Sequence, residues 1–250
     1  MLDELRAEFL PEFVRGARAR IRQALALLSP TAAANSENEM PIDELMHTIA
    51  GEAAMIGLPE VATAARTAQQ AAKRCQGPQG RTSLALIGCA RAIRSLALLV
   101  DGLKPASPGE PETNTGPNRR QGAPETGRVL LVDDSPINAA VLCGALEAAA
   151  VQAIAVRDDL EHALSQVAEF RPHIVLIDAI MPNLDPKTLC QRIRAMPAGA
   201  GIKLLLFTAL AADEAQQQAQ QLPVDGLLSK DGGIEGIVNR VRSLLPGAQS

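Results

Sequence analysis

The spacing of apolar positions changes once along this chain. From Leu2 through Leu5, Phe9, Phe13, Ala17 and Ile21 to Leu28 they recur every three or four residues, which marks one face of a helix. Ser29-Pro30 breaks the pattern, and a polar stretch runs to Met40. Pro41 suits the first turn of a second helix and Gly57 its end. A third helix is expected from about Leu58 to Cys75, stopped by Gly77-Pro78, and a fourth from about Ser83 to Val100. Four amphipathic helices with mostly short connections predict an all-α antiparallel four-helix bundle over residues 1–103.

Beyond residue 127 short apolar runs alternate with helical segments. The runs are Val129–Val132, Ala153–Val156, Ile174–Ile177, Ile202–Phe207 and Val224–Leu228. Continuous apolar runs are buried on both faces, so residues 128–250 are predicted to form an α/β domain, a doubly wound five-stranded parallel sheet. Residues 104–127 hold five Pro and four Gly with almost nothing apolar, and read as a flexible linker.

Composition narrows the function classes. Of 250 residues, 47% are apolar, 21% charged and 2% aromatic, with net charge −4. The bundle carries net 0 and the second domain −4, so no basic footprint for nucleic acid exists. No run of 18 apolar residues suits a membrane span, and Met1–Arg6 lacks the look of a secretion signal, so a cytoplasmic protein is expected. Cys75, Cys89, Cys143 and Cys190 are scattered without a C-x-x-C pair and read as buried free thiols.

Ligands of such sheets bind beyond the carboxyl ends of the strands. There the first strand ends in Asp133-Asp134, the third in Asp178, and the fourth in Thr208, while Lys230 closely follows the fifth. Three carboxylates at one edge repel one another unless a cation intervenes, and oxygen ligands suit Mg²⁺. A lysine and a hydroxyl are the groups that hold phosphoryl oxygens. Taken singly, these residues have plainer readings: Asp-Asp-Ser-Pro is also a helix start. His173, before a strand, reads as structural, His162 as a surface residue, and Asp158–Glu161 as a helix start.

With Asp178-x-x-Met181-Pro182, the set resembles the receiver domains of two-component response regulators. The resemblance implies Asp178 as phosphoacceptor. It implies Mg²⁺ on Asp133, Asp134, Asp178 and the backbone carbonyl of Ile180, with Thr208 and Lys230 on the phosphoryl group. Three positions depart from the pattern. Leu227 stands where receivers usually carry a switching aromatic, Asp231 where proline follows the lysine, and Pro186 where glycine often follows the third-loop acid, Asp185.

The second helix carries His47. At about 100° per residue, Ile42, Leu45, Ile49, Ala53 and Ile56 share one face, and His47, Ala50, Gly51 and Ala54 lie broadly opposite, toward solvent. Glycine within a helix costs about 1 kcal/mol relative to alanine, so Gly51 invites an explanation. Together with Ala50 and Ala54 it leaves bare backbone around an imidazole that offers a nucleophilic nitrogen, a surface where a partner could dock. His47-x-x-x-Gly51 followed by Ile56-Gly57-Leu58 resembles the histidine-phosphotransfer domain, which implies His47 as a second phosphoacceptor.

The expectation is a phosphorelay protein whose partners are a sensor histidine kinase, another receiver or another histidine-phosphotransfer protein. No kinase lobe is present, so it reads as a phosphotransfer intermediate. The alternative is a regulatory interaction module or phosphate sink, with the histidine idle. A 24-residue linker spans roughly 27 Å, from about 5.5 Å × √n, so the two domains can meet within one chain. Docking would bring Asp178 over the Ala50–Gly51–Ala54 collar, next to His47; the net charges attract little, so the contact is expected to be short-range and apolar.

Overall fold

A computed structural model describes residues 2–28, 41–75, 82–103, 127–157 and 159–246. The breaks expected at Ser29-Pro30 and Gly77-Pro78, Asp158, and the linker up to residue 126 lie outside the described residues. The first four helices are α1 (Leu2–Leu27), α2 (Ile42–Met55), α3 (Pro59–Arg74) and α4 (Ser83–Gly102). Pro41 precedes α2, whose first turn carries Asp43 and Glu44, acids that favour the positive end of the helix dipole. Thr82 caps α4 by accepting the N–H of Ala85. Gly57, at φ 72°, turns the chain out of α2 in a conformation that favours glycine.

Phe13, Ala17, Ile21, Leu45, Ile49, Ala53, Ala65, Ala68, Ile93 and Leu96 fill the bundle core. Alanine at so many facing positions lets the helix axes approach closely. α2 packs most extensively on α3, and α1 touches both α2 and α4.

The second domain runs β1 (Arg128–Val132), α5 (Pro136–Ala148), β2 (Gln152–Val156), α6 (Leu160–Phe170), β3 (Ile174–Asp178), α7 (Pro186–Ala195), β4 (Lys203–Thr208), α8 (Ala212–Gln220), β5 (Gly226–Ser229) and α9 (Gly233–Leu244). All neighbouring strands pair in parallel, in the order β2-β1-β3-β4-β5. β3 is buried throughout, and β1 and β4 everywhere except their first residues, as their unbroken apolar runs require. Alternate residues face opposite sides. Val129, Leu131, Leu176 and Phe207 pack toward α5 and α9, while Leu130, Val132, Val175 and Ile177 pack toward α6 and α7.

The fifth strand begins at Gly226 rather than Val224. The Asp225 carboxylate accepts the N–H of Leu204 at 2.7 Å and pairs with Arg194, so the chain is tied to β4 before it enters the sheet. His173 Nδ1 accepts the N–H of Arg128 at 3.0 Å, a structural role. Asp159 caps α6 by accepting the N–H of His162.

Because β2 and β3 lie on opposite sides of β1, the topological switch point falls between the carboxyl ends of β1 and β3. The bundle covers that point. α2 meets α5, α9 and the turn at 230–232, α1 meets α5, and one apolar cluster runs unbroken from the bundle core to the α5/α9 face.

Leu176→Ala, in the fully buried central strand, should cost about 2–5 kcal/mol of stability. Leu98→Ala, at a position 75% exposed on α4, should stay within about 0.5 kcal/mol. Chemical denaturation of the two variants checks the contrast.

Candidate functional site: a buried histidine–aspartate junction

β1 delivers Asp133 and Asp134, β3 ends in Asp178, β4 ends in Thr208, and β5 leads into Lys230. Oxygens of Asp133, Asp134 and Asp178 lie within 4.8 Å of one another. Lys230 donates from Nζ to Asp133 and to Asp178, 2.8 Å each, and all three side chains are almost completely buried. The Lys230 ammonium also sits 5.0 Å over the Phe207 ring. Asp133 accepts the N–H of Ser135 at 2.9 Å and the Asn138 amide at 3.1 and 3.2 Å. Ser135 caps α5, so the helix-start reading of Asp-Asp-Ser-Pro holds alongside the acidic cluster. The Thr208 hydroxyl is buried and accepts the N–H of Leu210 at 3.1 Å.

The charges shape each other. Burial pushes the Asp178 carboxyl up, but Lys230 and then His47 outweigh it and hold it down at about 2. For Asp133 burial prevails over Lys230 and its pKa is raised. Burial disfavours the Lys230 ammonium, yet the two carboxylates beside it raise its pKa overall.

The second phosphoacceptor candidate is covered rather than open to solvent. His47 was expected in solvent; it is 2% exposed, and Ala50 and Gly51 are buried with it, while Ala54 is half-buried. His47 and Gly51 turn toward Asp178 and Lys230, as the helical wheel's division of faces implies. What covers this face is the receiver-like domain of the same chain. His47 Nε2 faces Asp178 Oδ1 across 3.7 Å and is buried without a hydrogen-bond partner. Its Nδ1 lies 3.4 Å from the Gln69 amide of α3. An amide offers either an N–H or an oxygen, so Gln69 can serve either imidazole tautomer.

Gly51 explains itself here. A Cβ at this position would stand 3.5 Å from Lys230 Cδ, 3.6 Å from Nζ and 3.8 Å from Asn138 Nδ2, so a methyl just fits and anything larger collides. Glu52 alongside is 1% exposed; it accepts the Ser135 hydroxyl at 2.9 Å and the Arg20 guanidinium at 2.9 and 3.1 Å. Burial raises its pKa and Arg20 opposes that.

The contact is also not purely apolar. Arg66 pairs with Asp231 and donates to the Ala209 carbonyl at 3.0 Å, and Lys73 pairs with Glu214 at 2.8 Å. Net charges of 0 and −4 hid this local complementarity. Sequence reasoning missed Gln69, Arg20, Glu52, Arg66 and Lys73. Only Gln69 left a signal, a polar residue among the alanines on the buried face of α3.

The fold and the site define a chain that couples a histidine-bearing helical bundle to an aspartate-bearing doubly wound domain. The family models agree: the Hpt domain matches residues 4–104, and the response regulator receiver domain matches residues 129–242. The chain therefore joins an Hpt domain to a response regulator receiver domain. It is 30% identical over 118 residues to the DNA-binding dual master transcriptional regulator RpaA of Synechocystis sp. (strain ATCC 27184 / PCC 6803 / Kazusa), covering 47% of this chain and 48% of that one. It is 35% identical over 102 residues to the sensor histidine kinase RcsC of Escherichia coli (strain K12), covering 41% and 10%. The chain thus spans about half or less of the length of these relatives. Among solved structures, the chemotaxis response regulator CheY4 of Vibrio cholerae is 21% identical with a TM-score of 0.44, covering 48% of this chain and 99% of that one. The receiver domain of a signal transduction histidine kinase from Syntrophus aciditrophicus is 27% identical with a TM-score of 0.44, covering 50% and 93%.

Gly51→Leu should keep the bundle folded and lower any exchange between His47 and Asp178 by about a hundredfold, the order of loss that misplacement by about 1 Å can bring. Gly51→Ala should leave it nearly unchanged and strengthen α2 by up to about 1 kcal/mol. Rapid-quench transfer and thermal melts of both variants provide the check.

Proposed function

We propose that the chain performs a phosphorelay step within itself, with Asp178 and His47 as the two phosphoacceptors. The observation that carries this reading is the buried, unpartnered Nε2 of His47 facing Asp178 Oδ1 across 3.7 Å. Two atoms aimed at one another from separate domains are what in-line displacement at phosphorus requires.

With the phosphoryl group on Asp178, the Nε2 lone pair attacks phosphorus, the P–O bond to the carboxylate breaks, and Asp178 leaves as carboxylate. The reverse step uses the carboxylate as nucleophile. Nε2 must be unprotonated to attack; the Gln69 amide, whose nitrogen lies 3.4 Å from Nδ1, would then turn its oxygen to accept from Nδ1–H. Lys230 already lies against the acceptor carboxylate and can follow the phosphoryl oxygens; Thr208 supplies a hydroxyl at the same edge. The bundle excludes water, which would otherwise hydrolyse the acyl phosphate.

The converging carboxylates of Asp133, Asp134 and Asp178 fit a hard divalent cation, and the Ile180 carbonyl could complete the set. Bound there, Mg²⁺ would neutralise charge on the phosphoryl oxygens. The phosphoryl source or sink outside the chain is a histidine kinase, a receiver or another Hpt protein, the class its two domains serve.

Incubation of the full chain with labelled acetyl phosphate and Mg²⁺ should label both residues, distinguished by the stability of phosphohistidine, and lability of acyl phosphate, in base. Asp178→Asn should abolish both labels, and His47→Gln should leave only the base-labile one. Lys230→Ala should slow transfer by about a hundredfold, as loss of one charge-stabilising donor does. Base-stable label that survives in His47→Gln, or label entering Asp178→Asn at the wild-type rate, overturns the assignment.

A further inference from the structure

The centre of the interface cannot tell one receiver from another. Small residues around a histidine, placed over carboxylates and a lysine, suit any domain that presents the same phosphoacceptor chemistry. Beyond the buried Glu52–Ser135 hydrogen bond, discrimination falls to the rim, where charged groups meet partner-specific groups.

Here the rim is built on α3. Arg66, with its side chain 21% exposed, forks between two receiver loops, donating from Nε to the Ala209 carbonyl at 3.0 Å and from Nη2 to the Asp231 carboxylate. Lys73, two turns further along the same helix, reaches Glu214 on α8 at 2.8 Å. Ala209 directly follows Thr208 and Asp231 directly follows Lys230, so Arg66 grips the chain neighbours of both predicted phosphoryl-contacting residues. The aspartate at 231 also stands where the receiver pattern usually has proline, which has no side-chain group to offer a guanidinium. This departure from the receiver pattern has a partner in the other domain.

We propose that Arg66 and Asp231 are specificity determinants that commit the Hpt bundle to the receiver of its own chain. The proposal rests on the intrachain reading above. A planar guanidinium satisfied by a carbonyl and a carboxylate at once loses half of its partners on a receiver with proline at that place. The tether adds an effective concentration in the mM range for the matched receiver. An outside receiver therefore competes against both, and both acceptors stay covered until the rim contacts open.

The test uses the full-length chain and four forms: wild type, R66E, D231R and R66E/D231R. Small-angle X-ray scattering without phosphodonor reads docking, and rapid-quench labelling reads transfer between Asp178 and His47. Each single reversal should expand the chain and slow intrachain transfer by roughly fivefold or more, the scale of an exposed ion pair replaced by repulsion. The double reversal should restore both. For specificity, a labelled R66E chain should pass phosphoryl to an added H47Q/D231R chain roughly fivefold faster than to an added H47Q chain that keeps Asp231. Singles that leave both readouts unchanged, a double reversal no better than the singles, or equal transfer to the two added acceptors overturns the proposal. Docking lost and restored in a chain whose His47 never exchanges label supports the rim contact and sinks the intrachain relay, so the two failures are separable.

Discussion

Everything at the junction depends on one buried ammonium. Lys230 lies with Asp133 on one side and Asp178 on the other, where water cannot solvate any of the three. Removing one partner from such a buried set typically costs about 3–5 kcal/mol, because the charges left behind have no solvent. One ammonium between two carboxylates leaves the edge negative, and Asp134 adds a third carboxylate beside it. The site is therefore held together and still short of positive charge, which is the condition for taking a cation next to Asp178. The Lys230 stem also forms the floor on which Gly51 of α2 rests. Straightening the lysine toward its carboxylates and admitting the bundle are the same geometric requirement.

Docking then changes the medium. With the bundle in place, His47, Glu52, Asp133, Asp178 and Lys230 all lie out of water, where charge–charge and charge–dipole interactions strengthen. That raises the stakes for each polar atom, and nearly all of them are satisfied. Glu52 is matched by Arg20 from its own bundle and by the Ser135 hydroxyl from the receiver, so the cap of α5 doubles as an interdomain contact. Among the described residues, the buried side-chain atoms left without a partner are His47 Nε2 and Asn138 Oδ1. The first is the atom that a transfer reaction would use.

Most of the fold was legible because periodicity reports burial. The change from a three-to-four spacing to short unbroken apolar runs located the bundle, the five strands and the strand ends that carry Asp133, Asp134, Asp178, Thr208 and Lys230. That the Asp178 edge could dock over His47 was legible; that the face is buried by it in the same chain was not required by the sequence. A helical wheel says that His47, Ala50 and Gly51 leave the bundle core, but it assigns whatever leaves a core to solvent, and an interface between two domains of one chain breaks that rule. Nothing local in the sequence marks Glu52 and Arg66 as interdomain contacts. Their partners, Ser135 and Asp231, lie 83 and 165 residues away, beyond the reach of any local pattern. Net charge misled in a related way. It sums over a domain, whereas Arg66 and Lys73 each answer to one carboxylate a few ångströms away.

The leucine at 227 bears on how a receiver with this interface could report its own state. Leu227 is half-buried and packs with Leu206, Leu210 and Ala215 between β5 and α8, and a branched aliphatic side chain there has no ring to swing between inside and outside. The usual need for such a ring is that the phosphoryl site and the surface read by a partner are separate places. Here they are not. The bundle touches the carboxylate-bound lysine through Gly51, the residue after that lysine through Arg66, and the residue after Thr208 through the same guanidinium. On the proposed relay, movement of Thr208 or Lys230 toward a phosphoryl group would reach the bundle at first contact, with no relay through the sheet. On that reading a side chain that carries the signal to a distant face would have nothing left to carry, and position 227 would be free to be chosen for packing alone.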